Sequence, residues 1–231
     1  LSDYRPEAPV TTSLGSELTE LIPLALVITL SPLTIIPGIL MLHTPSPRPT
    51  SLAFLLGWVL GIGGLTAGFV LLSNALGGLG KQPTWAPYVR LVIGAALILF
   101  GLYRWFTRNR SEHAPGWLKS MTTIGPARAF VTAVVLVVIN PKVLFMCAAA
   151  GLAIGSAGLG TTGAWTADAV FTAVAASSVA LPVLAYLVAG ERLDEPLTKL
   201  KNWMEAQHAT LVAVILVVIG VMVLYKGIHG L

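Results

Sequence analysis

Val137-Val138-Ile139-Asn140-Pro141-Lys142-Val143-Leu144-Phe145 puts an amide, a helix-breaking proline and a full positive charge on consecutive residues inside a long apolar run. A lysine deep in hydrocarbon costs roughly 2.5–3.5 kcal/mol on insertion scales. The proline removes one backbone N–H and frees the carbonyl of Val137. Such defects sit side by side where they face protein, water or a substrate rather than lipid. The stretch therefore predicts a broken helix inside an all-α membrane protein. It also makes Asn140, Pro141 and Lys142 the first candidates for a pathway.

Composition sets the class. Of 231 residues, 55% are hydrophobic and only 10% charged, against a charged share near 25% in ordinary soluble domains. The apolar residues fall in blocks of roughly 20, the length that crosses about 30 Å of hydrocarbon. Six blocks are expected to span: Leu18–Leu42, Leu52–Leu72, Tyr88–Phe106, Ala127–Ala150, Trp165–Val188 and Ala209–Ile228. Ser31-Pro32 and Pro37-Gly38 interrupt the first, Asn140-Pro141 the fourth and Pro182 the fifth. Residues 1–17 read as a disordered polar lead-in, or a processing remnant, without the pattern of a signal peptide. Residues 18–107 and 126–231 then form two three-helix units joined by a basic connection, 108–125.

The lone Cys147 excludes an internal disulfide and the usual dithiol carrier chemistry. Four scattered histidines (His43, His113, His208, His229) match no metal spacing. No cofactor or metal is expected, and nothing points to an enzyme. Gly77-Gly78-Leu79-Gly80-Lys81-Gln82 fails as a phosphate loop, because Ala75 stands where its first glycine belongs and Gln82 replaces Ser or Thr. The net charge of +4 needs no nucleic acid, since loop cations that orient a membrane protein account for it. With six spans, Arg5, Lys81, Arg90 and Lys226 lie on one side. Arg48, Arg104, Arg108, Arg110, Lys119, Arg128, Arg192, Lys199 and Lys201 lie on the other. The second side is expected to be cytoplasmic, with both termini outside. The charges from Glu191 to Glu205 suit a short amphipathic loop on the inner face.

The halves echo each other. Leu30-Ser31-Pro32 corresponds to Ile139-Asn140-Pro141, and Leu102-Tyr103-Arg104 to Leu224-Tyr225-Lys226. Gly57, Gly61, Gly64 and Gly68 have the spacing of Ala169, Ala173, Ala176 and Ala180. Three spans per repeat force opposite orientations, the inverted plan of many transporters whose sites lie at broken helices near the midplane. Ser31, Pro32 and Pro37 thus join the pathway candidates. Ser31 and Asn140 are expected to hydrogen-bond the carbonyls that the prolines free, Ile28 being the one freed by Pro32. Lys142 has a substrate anion, a helix C-terminal carbonyl or a carboxylate open to it as partner. Asp168 is the acid it is expected to reach in one state, giving way to an anionic headgroup in another. The four glycines present a flat face for close helix packing or dimerisation.

Several segments carry a family resemblance. Ser31-Pro32-Leu33 with Ile35-Ile36, then Leu52-Ala53-Phe54-Leu55-Leu56-Gly57-Trp58, resemble the start of the peptidoglycolipid-addressing protein (GAP) family of mycobacteria and other actinobacteria, which includes sulfolipid-addressing proteins. Asn140-Pro141-Lys142, Ala148–Gly151, the run Pro182 to Arg192 and Ala209-Thr210 extend the likeness over nearly everything after Leu18. Asn-Pro-Lys is also similar to the motif of amino-acid exporters in the lysine-exporter superfamily. The resemblance implies six spans in two inverted halves and outward movement of cell-envelope glycolipids across the inner membrane. It further implies membrane lipids and an anionic or glycolipid substrate as partners, with lipid synthesis or export machinery nearby. Val143 stands where the amino-acid exporters commonly have alanine, so small-solute specificity does not carry over. A small-solute exporter and a non-transporting scaffold of a lipid-export machine remain the competing readings.

Overall fold

The computed structural model describes residues 14–75 and 123–207, together with isolated helical positions at 95, 98, 99, 102, 103, 106, 210, 214, 217, 220, 221 and 228. All regular structure among these residues is helical. The expected blocks Tyr88–Phe106 and Ala209–Ile228, and the Gly77–Gln82 loop, lie largely or wholly outside the described residues.

Helices α1 (Leu14–Thr29) and α2 (Pro32–Met41) are bent by 57° across their junction. Helix α3 (Pro47–Ala75) is continuous. Helices α4 (Pro126–Ile139) and α5 (Pro141–Ser156) meet at a 73° bend. Helix α6 (Gly160–Ala189) is again continuous, followed by a 3-10 turn, Gly190–Leu193, and by α7 (Asp194–Ala206). Helices α3 and α6 are each long and apolar enough to cross a membrane, and each bent pair is so when taken as one span. The chain is therefore a helical membrane protein with two to four spans among the described residues.

The sidedness of α3 argues for the same environment. Thr50, Ser51, Gly57, Thr66 and Ser73 face inward, while Leu52, Leu56, Leu60, Leu71 and Leu72 face outward. Phe54, Trp58, Ile62 and Val70 share the inward face, but a soluble helix would not turn five leucines outward. In lipid, apolar burial no longer drives association, so small and weakly polar residues make the contact and leucines meet the acyl chains.

Small residues also set which helices pair and in which direction. A Cβ added at Gly57 would collide with the carbonyl oxygen of Phe130, and one at Gly61 would come within 3.1 Å of Val137. Further along α3, a Cβ at Gly151 would approach the Thr66 carbonyl to 2.5 Å, and one at Gly155 would meet Ser73. Residue numbers rise together on both sides, so α4 and α5 run parallel to α3. On α6, the Thr29 hydroxyl donates to the Val174 carbonyl (2.8 Å) and Gly38 lies against Val179, so α1 and α2 run parallel to α6. Gly63 beside Thr172, and Arg48 beside Arg192, make α3 and α6 antiparallel. Each long helix thus carries one broken helix alongside it.

Several sequence expectations need correction. The helix of the first block starts at Leu14 rather than Leu18, with Glu17 already buried. Helix α3 is longer than Leu52–Leu72 because Pro47 starts it with a preset φ. Pro37 and Pro182 interrupt nothing, since α2 continues to Met41 and α6 to Ala189. The charges from Glu191 to Glu205 lie on the 3-10 turn and α7, not on a loop. The glycine row also divides. Gly57 and Gly61 lie against α4, but a Cβ at Gly64 or Gly68 would meet no atom of the described residues within 4 Å. Helix α4 ends at Ile139, and the bend carries the chain away from that face.

Gly151→Leu is expected to destabilise the detergent-solubilised protein by about 1–3 kcal/mol through overpacking against Thr66 and Phe69. Gly68→Ala should leave the thermal midpoint at or slightly above wild type.

Candidate functional site

The two bends have the same local cause. At each, the residue before proline takes an extended conformation, Ser31 at φ −83°, ψ 122° and Asn140 at φ −72°, ψ 106°. Proline disfavours the helical conformation in the residue before it. Ser and Asn already compete for backbone hydrogen bonds and favour helix starts. Asn140 ends α4 through its N–H to the Leu136 carbonyl (3.1 Å) and starts α5 by accepting the Lys142 N–H at Oδ1 (3.1 Å). Pro141 occupies the first turn of α5, where a missing N–H is harmless.

At the other bend the expected role of Ser31 passes to a neighbour. Ser31 is buried and makes no side-chain capping bond. The Thr34 hydroxyl lies 2.6 Å from the Ser31 carbonyl and 3.0 Å from that of Ile28, its one proton serving either. The carbonyl freed by Pro32 is thus held by Thr34 and by the Ser31 N–H (3.2 Å). Likewise the Asn140 side chain caps α5 instead of taking the Val137 carbonyl. Thr29 adds the tie to α6 described above. Thr29 and Thr34 were not singled out from the sequence, although hydroxyls flanking Ser-Pro in an apolar run are the signal to look for.

Both bends lie at mid-length. Val174, held by Thr29, is about 21 Å along an α6 of about 45 Å, and Gly61, beside Val137, is about 21 Å along an α3 of similar length. Gly63 and Thr172 bring the two long helices together at the same height. The bends are therefore level with each other in the centre of the bundle. Pro37 is buried within α2, next to the Gly38–Val179 contact.

Lys142 is half-buried in the first turn of α5, and no carboxylate of a described residue lies within 4 Å of its ammonium. That places it at the positive end of the helix dipole, which disfavours a cation. Asp168 is 7% exposed, and its Oδ1 accepts from the Thr172 hydroxyl at 3.4 Å. No ion pair joins Lys142 and Asp168. Trp58 Nε1, Thr66 Oγ1 and Ser178 Oγ are buried without a hydrogen-bond partner among the described residues. The Thr66 hydroxyl stands beside the buried Cys147 thiol. Two clefts open on α6, one of about 620 Å³ by Trp165 and Thr166 and one of about 540 Å³ by Tyr186 and Arg192. Neither is lined by Asn140 or Lys142.

Asn140→Ala should lower stability by about 1 kcal/mol through loss of the cap, with Asn140→Asp retaining most of it, as read from thermal unfolding in detergent. Thr34→Val is expected to cost about 0.5–1.5 kcal/mol, the net worth of one hydrogen bond, because the Ile28 and Ser31 carbonyls keep their backbone donors.

Comparison with known proteins gives one match. The model of a family described as Sap, sulfolipid-1-addressing protein, matches residues 21–229, including both bends, Lys142 and Asp168. No curated protein and no solved structure matches the chain. The family is one of membrane addressing proteins and not of enzymes. With the match covering nearly the whole chain, the protein belongs to the sulfolipid-1-addressing protein family.

Proposed function

We propose that the protein carries a cell-envelope glycolipid, or another lipid-linked polar headgroup, across the inner membrane. The headgroup passes the two central bends while the acyl chains stay in the bilayer. The observation that carries this reading is the pair of broken helices, level with each other at mid-length, with Lys142 unpaired among the described residues at one of them. Broken helices at that depth are where transporters place their substrates, and an intramembrane charge marks a functional site by default. The family description, sulfolipid-1-addressing protein, supplies the lipid class.

In this reading Ser31, Pro32, Pro37, Asn140, Pro141, Lys142 and Asp168 line the route. Lys142 meets an anionic headgroup and exchanges it for Asp168 as the bundle changes state. Ser31 is buried, and Val137 and Val143 are wholly so, so passage requires the bends to open. They are suited to that, since neither is crossed by a continuous helical hydrogen-bond ladder.

The reciprocal pairing supports two inverted repeats. The broken helix of each half lies against the unbroken helix of the other, as exchange of the halves requires. Parallel α3 and α4 put Ala75 and Pro126 at opposite ends of the bundle, which fits a crossing by the block at 88–106. Six spans, a cytoplasmic 108–125 connection, termini outside and kinship with the lysine-exporter superfamily complete the proposal. Lipid-synthesis or export machinery, and a second copy through the glycine face, are its expected partners.

Purified protein in liposomes should move a fluorescent sulfated glycolipid between leaflets. Lys142→Met should slow this about tenfold or more, the loss of one charge-assisted contact worth about 1.5–3 kcal/mol. Asp168→Asn should slow it as well. Full rates in both single variants, or no movement by wild type, would sink the proposal.

A further inference from the structure

The start of α3 and the end of α6 enclose the cleft of about 540 Å³, lined by Pro47, Arg48, Pro49, Tyr186, Ala189, Gly190 and Arg192. Nothing in the translocation reading uses it. Measured along α6, it lies more than about 20 Å from the central bends. Gly190 builds its turn, at φ 61° and ψ −144°, a backbone region open to glycine almost alone. That turn ends α6 and carries Arg192 round to face the α3 start. The other wall is the start of α3, Pro47, Arg48 and Pro49.

Two guanidinium groups therefore border one cleft over the buried Tyr186 ring. Both arginines are exposed, and among the described side chains no carboxylate lies within 4 Å of either. Lys199 differs, for its ammonium is paired with Glu195 at 2.6 Å. Two arginines lining one cleft suit a tetrahedral oxyanion, which a guanidinium can grip through two parallel N–H bonds. The surroundings favour a lipid as the source of that anion. The cleft sits where both long helices end, and Leu52, Leu56 and Leu60, four, eight and twelve residues on from Arg48, form an outward apolar stripe that leads away from it along α3. A headgroup in the cleft leaves its acyl chains against that stripe.

We infer that Arg48 and Arg192 form a binding site for the phosphate or sulfate ester of an anionic lipid headgroup, at the bundle end that carries the loop cations and apart from the central bends. The site does not depend on translocation and would also serve a protein that only gathers such lipids.

Native mass spectrometry of the full chain in detergent tests it, with phosphatidylglycerol and a sulfated galactosylceramide as probes and phosphatidylcholine as the neutral reference. Wild type should retain the anionic lipids about tenfold more strongly than the neutral one, the scale of one charge-assisted contact. Arg48→Gln/Arg192→Gln should bring them down to the neutral level. Arg48→Lys/Arg192→Lys should fall between, losing the two-bond grip but not the charge. Arg128→Gln removes an exposed cation at the same end of the bundle without touching the cleft, and should change nothing. Displacement of the lipids by millimolar inorganic sulfate or phosphate would keep the oxyanion site and name the free ion as its ligand. Equal retention of anionic lipids by wild type and the double Gln variant would overturn the inference, as would an equal loss in Arg128→Gln. Unchanged thermal unfolding of each variant confirms that binding, not folding, is being read.

Discussion

The structure depends on one constraint, that a backbone interrupted in mid-membrane must have its polar groups satisfied by the protein itself. Among the described residues there are two interruptions, and each is closed by short side chains close by in the chain. At Asn140 an amide oxygen accepts the first free N–H of α5. At Ser31 a threonine three residues on supplies the donor. These bonds permit bends of 57° and 73° where a continuous ladder would impose a straight helix. The second break also sets the place of Lys142, which falls in the first turn of the helix that starts there.

The bends in turn dictate the packing. A straight fourth span would follow the whole glycine row of α3, but contact with α4 stops at Gly61 and Val137. Beyond the bend, α5 rejoins α3 through its own small residues, Gly151 and Gly155, against Thr66 and Ser73. The small residues on α3 and those on its partner thus alternate in responsibility for the close approach. The first span uses a different device on α6, a hydroxyl-to-carbonyl bond from Thr29 followed by the Gly38 contact. The two broken helices are thus joined to the long helices by unlike chemistry, although the pairing is reciprocal.

Much of this was legible before any coordinates. The membrane class and the bends at Ser31-Pro32 and Asn140-Pro141 follow from composition and proline chemistry. What was not legible depends on contacts between distant segments. Nothing local to Leu30-Ser31-Pro32 says that Thr29 will meet Val174, or that Thr34 rather than Ser31 will hold Ile28. The orphaned Trp58, Thr66 and Ser178 are likewise invisible in sequence, because a satisfied and an unsatisfied hydroxyl are spelled the same. Helix α7 was missed for a different reason. Its charged face hid a periodicity that one buried residue, Leu197, is enough to anchor.

The prolines show where sequence reading can be made sharper. Past the first turn of each described span there are five, and the helix stops at only two of them. Pro23, Pro37 and Pro182 follow Ile22, Ile36 and Leu181, and each helix runs on. Pro32 and Pro141 follow Ser31 and Asn140, and there the helix stops. Every proline removes the same donor and presses on the same preceding residue, so proline alone cannot decide the outcome. An apolar side chain before it has no alternative to offer the backbone, and packing holds the helix through the defect. A short polar residue stabilises the extended conformation that starts a new helix, and the balance tips. By this argument the element that creates the central site is the residue before each proline. Asn140 matters first as the switch that ends α4 and starts α5, and only then as a group a headgroup would meet.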